Sequence, residues 1–370
     1  MLSVIIPVFN CLELTKTCLK SLAISLEGVV EYEVILVDDV STDGTRDFLA
    51  TLEAPHRVIS NTEKGNFAIN NNRAAACARG EYLCLLNNDT ELRKGWLEPM
   101  LEVFGNCPDV GFVGNVQIIP DTGRYDHFGI CFPEWLTPQH YGQHLRQSPS
   151  GIKGTASRWG AVTGACAIIK KSVFDSFGGF DEAYINGCED IDLCLRLHAA
   201  GYWHYVAHRS TILHHKGASS GRKDKNDANL RRLKRIHGDY IREQFITRDA
   251  YLAAKTYIES AKANPGKING GKLFRAVISN FRKKRPQTIL EPECLDPDTC
   301  DNQSIYLRVM QSKRMTATLS SYSQKQRQAN SRTIAPPPSS RSLKILFAVG
   351  TLPDPPDSRS AQRTELLYRS

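Results

Sequence analysis

Apolar positions along the first ninety residues switch between two periods. SVIIPVF (3–9) is a β-branched run that stops at Asn10, and LELTKTCLKSLAISL (12–26) follows with apolar residues at helical spacing. YEVILVDD (32–39) has a buried-strand pattern and runs into STDGT, where Ser41 or Thr42 is placed to cap the next helix. HRVIS (56–60) reads as a short strand, and NFAINNNRAAACARG (66–80) as a helix stopped by Gly80. EYLCLLNND (81–89) is another strand, with its polar residues gathered at the C-terminal end. This rhythm predicts an α/β fold with a parallel sheet and helices on both faces. In such sheets ligands bind beyond the C-terminal ends of the strands, which is where Asp38, Asp39 and Asp89 fall.

After about residue 105 the pattern loosens. GFVGNVQII is strand-like, and the stretch to Arg158 is rich in His, Pro, Gly and aromatic residues. AVTGACAIIKKSVFDSFGGFDE predicts a strand, a short helix and a turn. EDIDLCLRLHAAG is an amphipathic helix closed by Gly201, and STIL is a strand that leads into His214 and His215. Beyond Gly221 the chain is helical and basic to about Arg285. Residues 286–342 carry Pro, Ser and Gln with few large apolar residues, the composition of a disordered linker. LKILFAVG then reads as a fresh strand followed by about twenty residues, too few to complete a sheet. The expected organisation is a principal domain over 1–220, a basic helical extension over 221–285, a linker over 286–342 and a strand-loop stub over 343–370.

Composition narrows the class. The 370 residues are 41% hydrophobic and 23% charged, enough for a substantial core. No run of about 18 apolar residues occurs, so no membrane-spanning helix is expected. The start, MLSVIIPVFN, lacks a basic leader and a cleavage site, and the expectation is a mature cytosolic protein. Eleven cysteines, an odd number without a CxxC pair, point to reduced structural thiols. The net charge of +8 is concentrated in RKDKND (222–227), LRRLKRIHG (230–238) and FRKKRP (281–286). Solvated helix faces and peripheral contact with an anionic membrane suit these stretches equally. No nucleic-acid recognition module accompanies the charge, so nucleic acid is not an expected partner.

Four polar clusters are candidates for chemistry. Asp38-Asp39 at a strand end suits a turn and helix cap as well as a ligand contact. Asn87-Asn88-Asp89 is a common turn sequence, and equally a set of oxygens able to hold a hard cation on a diphosphate. In Glu189-Asp190-x-Asp192, Asp190 sits at a helix N-terminus, where the dipole favours an ionised carboxylate suited to a base; an acidic first turn is also ordinary helix design. His214 and His215 are adjacent on a strand and point to opposite sides, so both do not readily ligate one ion.

Taken in order, SVIIPVFN, VDDVSTDGT, NFAINNNRAAACARGEYLCLLNNDTEL, TGACAIIKKSVFDSFGGFDE, EDIDLCLRLHAAGY and HHKGASS closely resemble family 2 glycosyltransferases of the GT-A fold. The likeness runs almost continuously from Ser3 to about Ser220, and is strongest to the bacterial branch of rhamnosyl- and other surface-polysaccharide transferases. The resemblance implies a Rossmann-like mixed, mostly parallel sheet. It also implies inverting transfer of a sugar from a UDP-, GDP- or dTDP-linked donor to a hydroxyl of a saccharide or lipid-linked saccharide. By the same resemblance Asp39 matches the residue that bonds the nucleotide base, with Asp38 and the backbone at Pro7 and Phe9 beside it. Asn71 and Asn88 fall with the donor-binding residues, and Gly164 and Ala165 would line the donor-sugar pocket. Asp89 matches the last acid of the motif that holds Mg²⁺ or Mn²⁺, with Asn87 in place of its first acid. Asp190 matches the base, and His214 or His215 the histidine that completes the metal site in some members.

The chain departs from the family pattern at three places. Asn87 lowers the charge offered to a cation, Val40 replaces a usual glycine after the Asp pair, and Asn66 replaces a glycine that often precedes the Phe. The last two are expected to stiffen loops near the nucleotide. SLKILFAVGTLPDPP (342–356) resembles, over a short span, the first strand and loop of a GT-B glycosyltransferase. Two rival readings are a sugar-1-phosphate nucleotidyltransferase and a degenerate, non-catalytic carbohydrate-binding or scaffold domain. The first calls for a Gly-rich basic loop after the first strand, which PVFNCLELTK is not. The second is motivated by Asn87, against the retention of Asp39, Asp89, Asp190 and the His pair.

Overall fold

The computed structural model describes residues 1–145, 154–215, 226–263, 266 and 269–282. The expected linker and stub lie outside the described residues. The chain opens with β1 (Leu2–Val8), α1 (Leu12–Leu26), β2 (Tyr32–Asp38), α2 (Thr45–Ala50), β3 (His56–Ser60), α3 (Phe67–Cys77) and β4 (Tyr82–Leu86). It continues with β5 (Thr90–Glu91), α4 (Glu98–Asn106), β6 (Val110–Ile119), β7 (Arg124–His127), β8 (Ile130–Cys131), β9 (Gln139–His140) and β10 (Ala156–Trp159). Then follow β11 (Cys166–Lys170), α5 (Lys171–Ser176), α6 (Glu189–Ala199), β12 (Trp203–His214), α7 (Asn226–Gln244), α8 (Ile246–Ala263) and α9 (Gly270–Arg282).

The central sheet runs β10-β12-β6-β11-β4-β1-β2-β3, with β5 added to β12 and β7 to β6. Strands β3, β2, β1 and β4 are parallel. Antiparallel β11 is inserted between β4 and β6, and β12 runs parallel to β6. The sheet is therefore mixed, with its long strands mostly in one direction. β8 and β9 form a separate antiparallel ribbon.

Side chains alternate between the two faces as a pleated strand requires. Val4, Ile6, Leu36 and Cys84 join the core built with α1, α2 and α4, while Ile5, Ile35, Val37, Leu83 and Leu85 join the core built with α3 and α6. Leu233 and Ile241 of α7 and Leu252 and Ala253 of α8 are buried in that second core. Their attachment is also polar. Asp192, fully buried on α6, accepts from Arg196 Nε (2.8 Å) and contacts His237 Nε2 of α7 at 2.7 Å. Burial alone would raise the Asp192 pKa, but the Arg196 guanidinium and His237 outweigh it and hold the carboxyl far below its usual range. Asn229 of α7 pairs with the Ile185 backbone in both directions, at 3.1 and 2.9 Å.

Two helix starts differ from the sequence expectation. Neither Ser41 nor Thr42 caps α2. That helix begins at Thr45 behind Gly44 at φ 83°, and Asp43 Oδ1 takes the Thr45 N–H at 3.2 Å. Ser41 and Thr42 instead tie the strand ends together. The Ser41 hydroxyl accepts from Asn10 N (2.9 Å), and Thr42 N donates to Asn10 Oδ1 (2.7 Å). The Asn66 backbone is extended (φ −140°), so no glycine is needed there, and its side chain caps α3 by accepting from Ile69 N at 2.9 Å. The nine cysteines among the described residues carry free thiols. No helix among those residues is long and apolar enough to cross a membrane.

Candidate active site

The ends of β1, β2 and β4 and the start of β11 meet at one edge of the sheet, and short contacts link them in sequence. Asp39 N donates to Val8 O at 2.8 Å, joining β2 to β1 just before Phe9. Asn88 Nδ2 reaches Asn10 O at 3.4 Å and Thr15 Oγ1 at 3.0 Å, which anchors the loop after β4 to α1. Asn87 N donates to Ala165 O at 2.9 Å. Gly164 N donates to Asp190 Oδ2 at 2.8 Å, and His214 Nε2 lies 3.3 Å from Asp89 Oδ1. Residues from six separate strings are thereby gathered on one edge.

The two members of the Asp38–Asp39 pair do different things. Asp38 is fully buried and committed to the fold, accepting from Ser41 N (3.0 Å) and from Arg46 Nε (2.7 Å). The Asp39 carboxylate is aimed by a buried amide network. Its Oδ1 accepts from Gly65 N at 2.6 Å and Asn61 Nδ2 at 2.9 Å, and Asn61 also bonds Asn70 (2.8 Å) and Arg73. Val40 follows at φ 65°, a left-handed backbone that β-branched residues rarely adopt. Pro7 pairs with Val37 one step before the parallel register of β1 and β2 ends at Val8 and Asp38, and the Phe9 ring carries Lys64 Nζ 2.9 Å from its centroid. Asn71 is buried in α3, its Nδ2 donating to Phe67 O at 2.8 Å.

Asp190 is the second residue of α6. Oδ1 accepts from Ile191 N and Oδ2 from Gly164 N, both at 2.8 Å, so two backbone amides fix the carboxylate at the helix N-terminus. Its acidic neighbours have separate partners, Glu189 with Gly187 N (2.6 Å) and Asp192 with Arg196 and His237. The three charges therefore do not share one site.

The two histidines diverge as strand geometry requires. His214 faces Asp89, whereas His215 Nε2 faces Glu91 at 3.6 Å. Behind His214, Nδ1 contacts Gln117 Oε1 at 3.1 Å and Asp126 Oδ2 at 3.5 Å. Both neighbours of Nδ1 are acceptors, which keeps a proton on Nδ1 and leaves Nε2 as the nitrogen that faces Asp89. Burial lowers the His214 pKa, but the carboxylates of Asp126 and Asp89 outweigh it and raise the pKa above the usual histidine value. Asp89 Oδ1 is buried and makes no hydrogen bond among the described residues. An orphaned carboxylate oxygen beside an imidazole nitrogen is a donor set that fits a divalent cation, although no ready-made cluster of three or more His, Cys, Asp or Glu occurs among the described residues. Asp126 and Gln117 were not legible as site residues. They lie on β7 and β6, in a stretch whose pattern signals nothing about His214.

This architecture is the GT-A fold. The family model for glycosyl transferase family 2 matches residues 3–178. The O-antigen biosynthesis protein RfbC of Myxococcus xanthus is 31% identical over 59% of the chain. The N-acetylglucosaminyl-diphospho-decaprenol L-rhamnosyltransferase of Mycobacterium tuberculosis is 26% identical over 55% of the chain and 72% of its own length. The chain spans under a third of the length of both curated relatives it matches at 31% identity, 17% in the case of RfbC. Among solved structures, GalNAc-T7 with UDP, GalNAc and Mn²⁺ superposes with a TM-score of 0.54 at 14% identity, covering 76% of this chain and 55% of its own.

Proposed function

We propose that the chain transfers a sugar from a nucleoside-diphosphate donor to a hydroxyl of a saccharide or lipid-linked saccharide, inverting the anomeric carbon, in cell-surface polysaccharide synthesis. The observation that carries this reading is the Asp190 carboxylate, held by Gly164 N and Ile191 N on the edge where Asp39 and Asp89 also lie. The relatives' roles in O-antigen and decaprenol-linked rhamnosyl synthesis support the polysaccharide context and a lipid-linked acceptor.

In this reading Asp39, aimed by Asn61 and Gly65, accepts an N–H of the nucleotide base, with Pro7 and Phe9 beside it. The backbone turn at Gly164–Ala165 lies against the donor sugar, because Gly164 brings no side chain between the sugar and Asp190. Asp190 takes the proton of the acceptor hydroxyl as its oxygen attacks from the face opposite the leaving diphosphate. The α6 N-terminus favours the ionised carboxylate that this step needs. One displacement suffices, so the product is inverted. Asp89 and His214 Nε2 are the groups that would hold Mg²⁺ or Mn²⁺, with Asn87 as a neutral neighbour. Such a cation, when bound, neutralises charge on the leaving nucleoside diphosphate.

A thermal-shift series with UDP, GDP and dTDP, each with and without Mn²⁺, tests the reading. One nucleotide is expected to raise Tm, and more so with the metal. No shift with any of them, at concentrations up to millimolar, would remove the donor site and the reading with it.

A further inference from the structure

Among the described residues five large apolar side chains are exposed, and two of them, Phe274 (67% exposed) and Val277 (37%), lie on α9. They are three residues apart, and therefore neighbours on one face of the helix. Ala276, two residues on from Phe274 and about 200° around the helix, is fully buried. α9 packs along α8, and Tyr257 Oη of α8 bonds the Asn269 backbone at its start, accepting from N at 3.2 Å. The small Ala276 side is thus spent on the protein, while the Phe274–Val277 side faces outward. Beside that outward face stands exposed Arg275, with Lys272 half-buried on the same helix.

Charge says what covers this face. From Ser260 to Leu290 the sequence holds eight Lys or Arg residues and no Asp or Glu. Apolar residues flanked by cations with long stems are what an interfacial helix uses. The rings and methyls enter the acyl boundary while guanidinium and ammonium groups reach lipid phosphates. A protein partner of matching shape would need an acidic rim and an apolar centre together. A bilayer rich in acidic phospholipid supplies both without further features.

We propose that α9 is a membrane-docking helix that lies in the headgroup region of an anionic bilayer through Phe274 and Val277. The inference adds a lipid partner to the transfer reaction, and it rests on that reading only for its purpose, the delivery of the site to a lipid-linked acceptor. Its structural basis is independent of the active site.

Flotation of the full chain with vesicles tests it. Vesicles of phosphatidylcholine mixed with phosphatidylglycerol are expected to carry the protein, and phosphatidylcholine alone is not. The double variant Phe274→Ser/Val277→Ser, altered only at exposed positions, is expected to lose about tenfold or more in partitioning. Roughly 0.5 M NaCl is expected to weaken wild-type binding as well, because the cationic contribution is screened. Binding that is equal on neutral vesicles, absent from anionic ones, or unchanged in the double variant overturns the proposal. Self-association that the double variant abolishes, in a chain that ignores vesicles, assigns the face to a second copy and overturns it too. Thermal shift by nucleoside diphosphates, run on both proteins, separates the two readings. A wild type that binds vesicles but no nucleotide fails as a transferase and leaves the docking helix standing, and a double variant that keeps its nucleotide shift while losing vesicles supports the docking role directly.

Discussion

Asp190 and Gly164 are 26 positions apart in the chain and joined by one hydrogen bond, Gly164 N to Asp190 Oδ2 at 2.8 Å. The bond fixes the proposed base against the backbone that would line the donor sugar. A Cβ built on Gly164 would meet Asp190 Cβ at an ordinary 3.5 Å and the Phe67 ring at a tighter 3.3 Å, so a larger residue there asks the Phe67 ring to give by a few tenths of an ångström. Asp190→Asn keeps an acceptor for the amide but cannot take a proton. It is expected to lower kcat by about two to four orders of magnitude with nucleotide binding nearly unchanged. Steady-state kinetics alongside donor titration decides it, and near-normal turnover would remove Asp190 from the mechanism.

His214 and His215 provide an internal control for metal binding. His214→Ala is expected to weaken Mn²⁺-dependent nucleotide binding by about tenfold to a hundredfold, and His215→Ala to leave it close to wild type. Asp126→Asn, which alters the partner of His214 Nδ1 while keeping an acceptor for Gln143 Nε2 (3.1 Å), is expected to fall between them. Calorimetric titration of nucleoside diphosphate with and without Mn²⁺ reads all three. Equal effects from the two histidines would mean that Asp89 and His214 do not form the metal site.

Val40 stands at φ 65° directly after Asp39. A β-branched residue held there costs about 1–2 kcal/mol, and glycine returns part of that gain as unfolded-chain entropy, about 0.5–1 kcal/mol. Val40→Gly is therefore expected to stabilise the protein by up to about 1 kcal/mol, or about 1–4 °C in Tm. A calorimetric scan showing a lower Tm would mean that the valine side chain contributes packing worth more than the strain.

Much of the sheet was legible because its strands and helices announce themselves locally. The helical pattern of 12–26 is α1, HRVIS is β3, and the apolar run of 189–199 is α6 closed by Gly201 at φ 96°. The departure at Val40 was equally readable, since a usual glycine marks a left-handed backbone. Long-range facts were not. That β11 enters the sheet antiparallel between β4 and β6 depends on pairing across about eighty residues, which no local period encodes. Asp38 and Asp39 look alike in sequence and differ only because Arg46 and Ser41 take one, and Asn61 and Gly65 the other. The choice between His214 and His215 needed the register of β12 against β5.

Two histidines, His204 fully buried and His198 half-buried, predict acid sensitivity. Burial holds His198 down to about 3 and His204 down to about 4, where His204 Nδ1 accepts from Phe112 N (3.0 Å) and Nε2 faces Cys194 O (2.9 Å). Both are depressed below their unfolded value of 6.5, so the unfolded chain binds more protons once the pH falls below that value. The stability they permit is complete above about 6.5 and is lost progressively from there toward pH 3–4, by roughly 2 kcal/mol each at pH 5. Tm is expected to fall between pH 7.5 and 5, and His198→Gln to flatten part of that slope. A Tm independent of pH in this window would show that these histidines charge freely in the folded state.

Helices α7 and α8 make the last prediction. Leu233, Ile241 and Leu252 are fully buried in the core shared with α3 and α6, and His237 is a partner of the buried Asp192. A chain ending at Ser220 would expose that apolar surface and leave Asp192 with Arg196 and a long hydrogen bond from Tyr184 Oη (3.4 Å), and removing one partner of a buried ionic cluster costs about 3–5 kcal/mol. That loss is a large part of the stability of an ordinary domain, so the shortened chain is expected to be insoluble or to unfold without a cooperative transition. A chain ending at Arg285 keeps α7, α8 and α9 and every proposed site residue. It is expected to melt cooperatively and to show the same nucleotide-dependent Tm shift as the full chain. Thermal scans of the two shortened chains beside the full one decide the matter. A cooperative, nucleotide-binding chain of 220 residues would mean that the helices lie on the core without supporting it, and loss of nucleotide binding in the chain of 285 would place part of the donor site beyond Arg285.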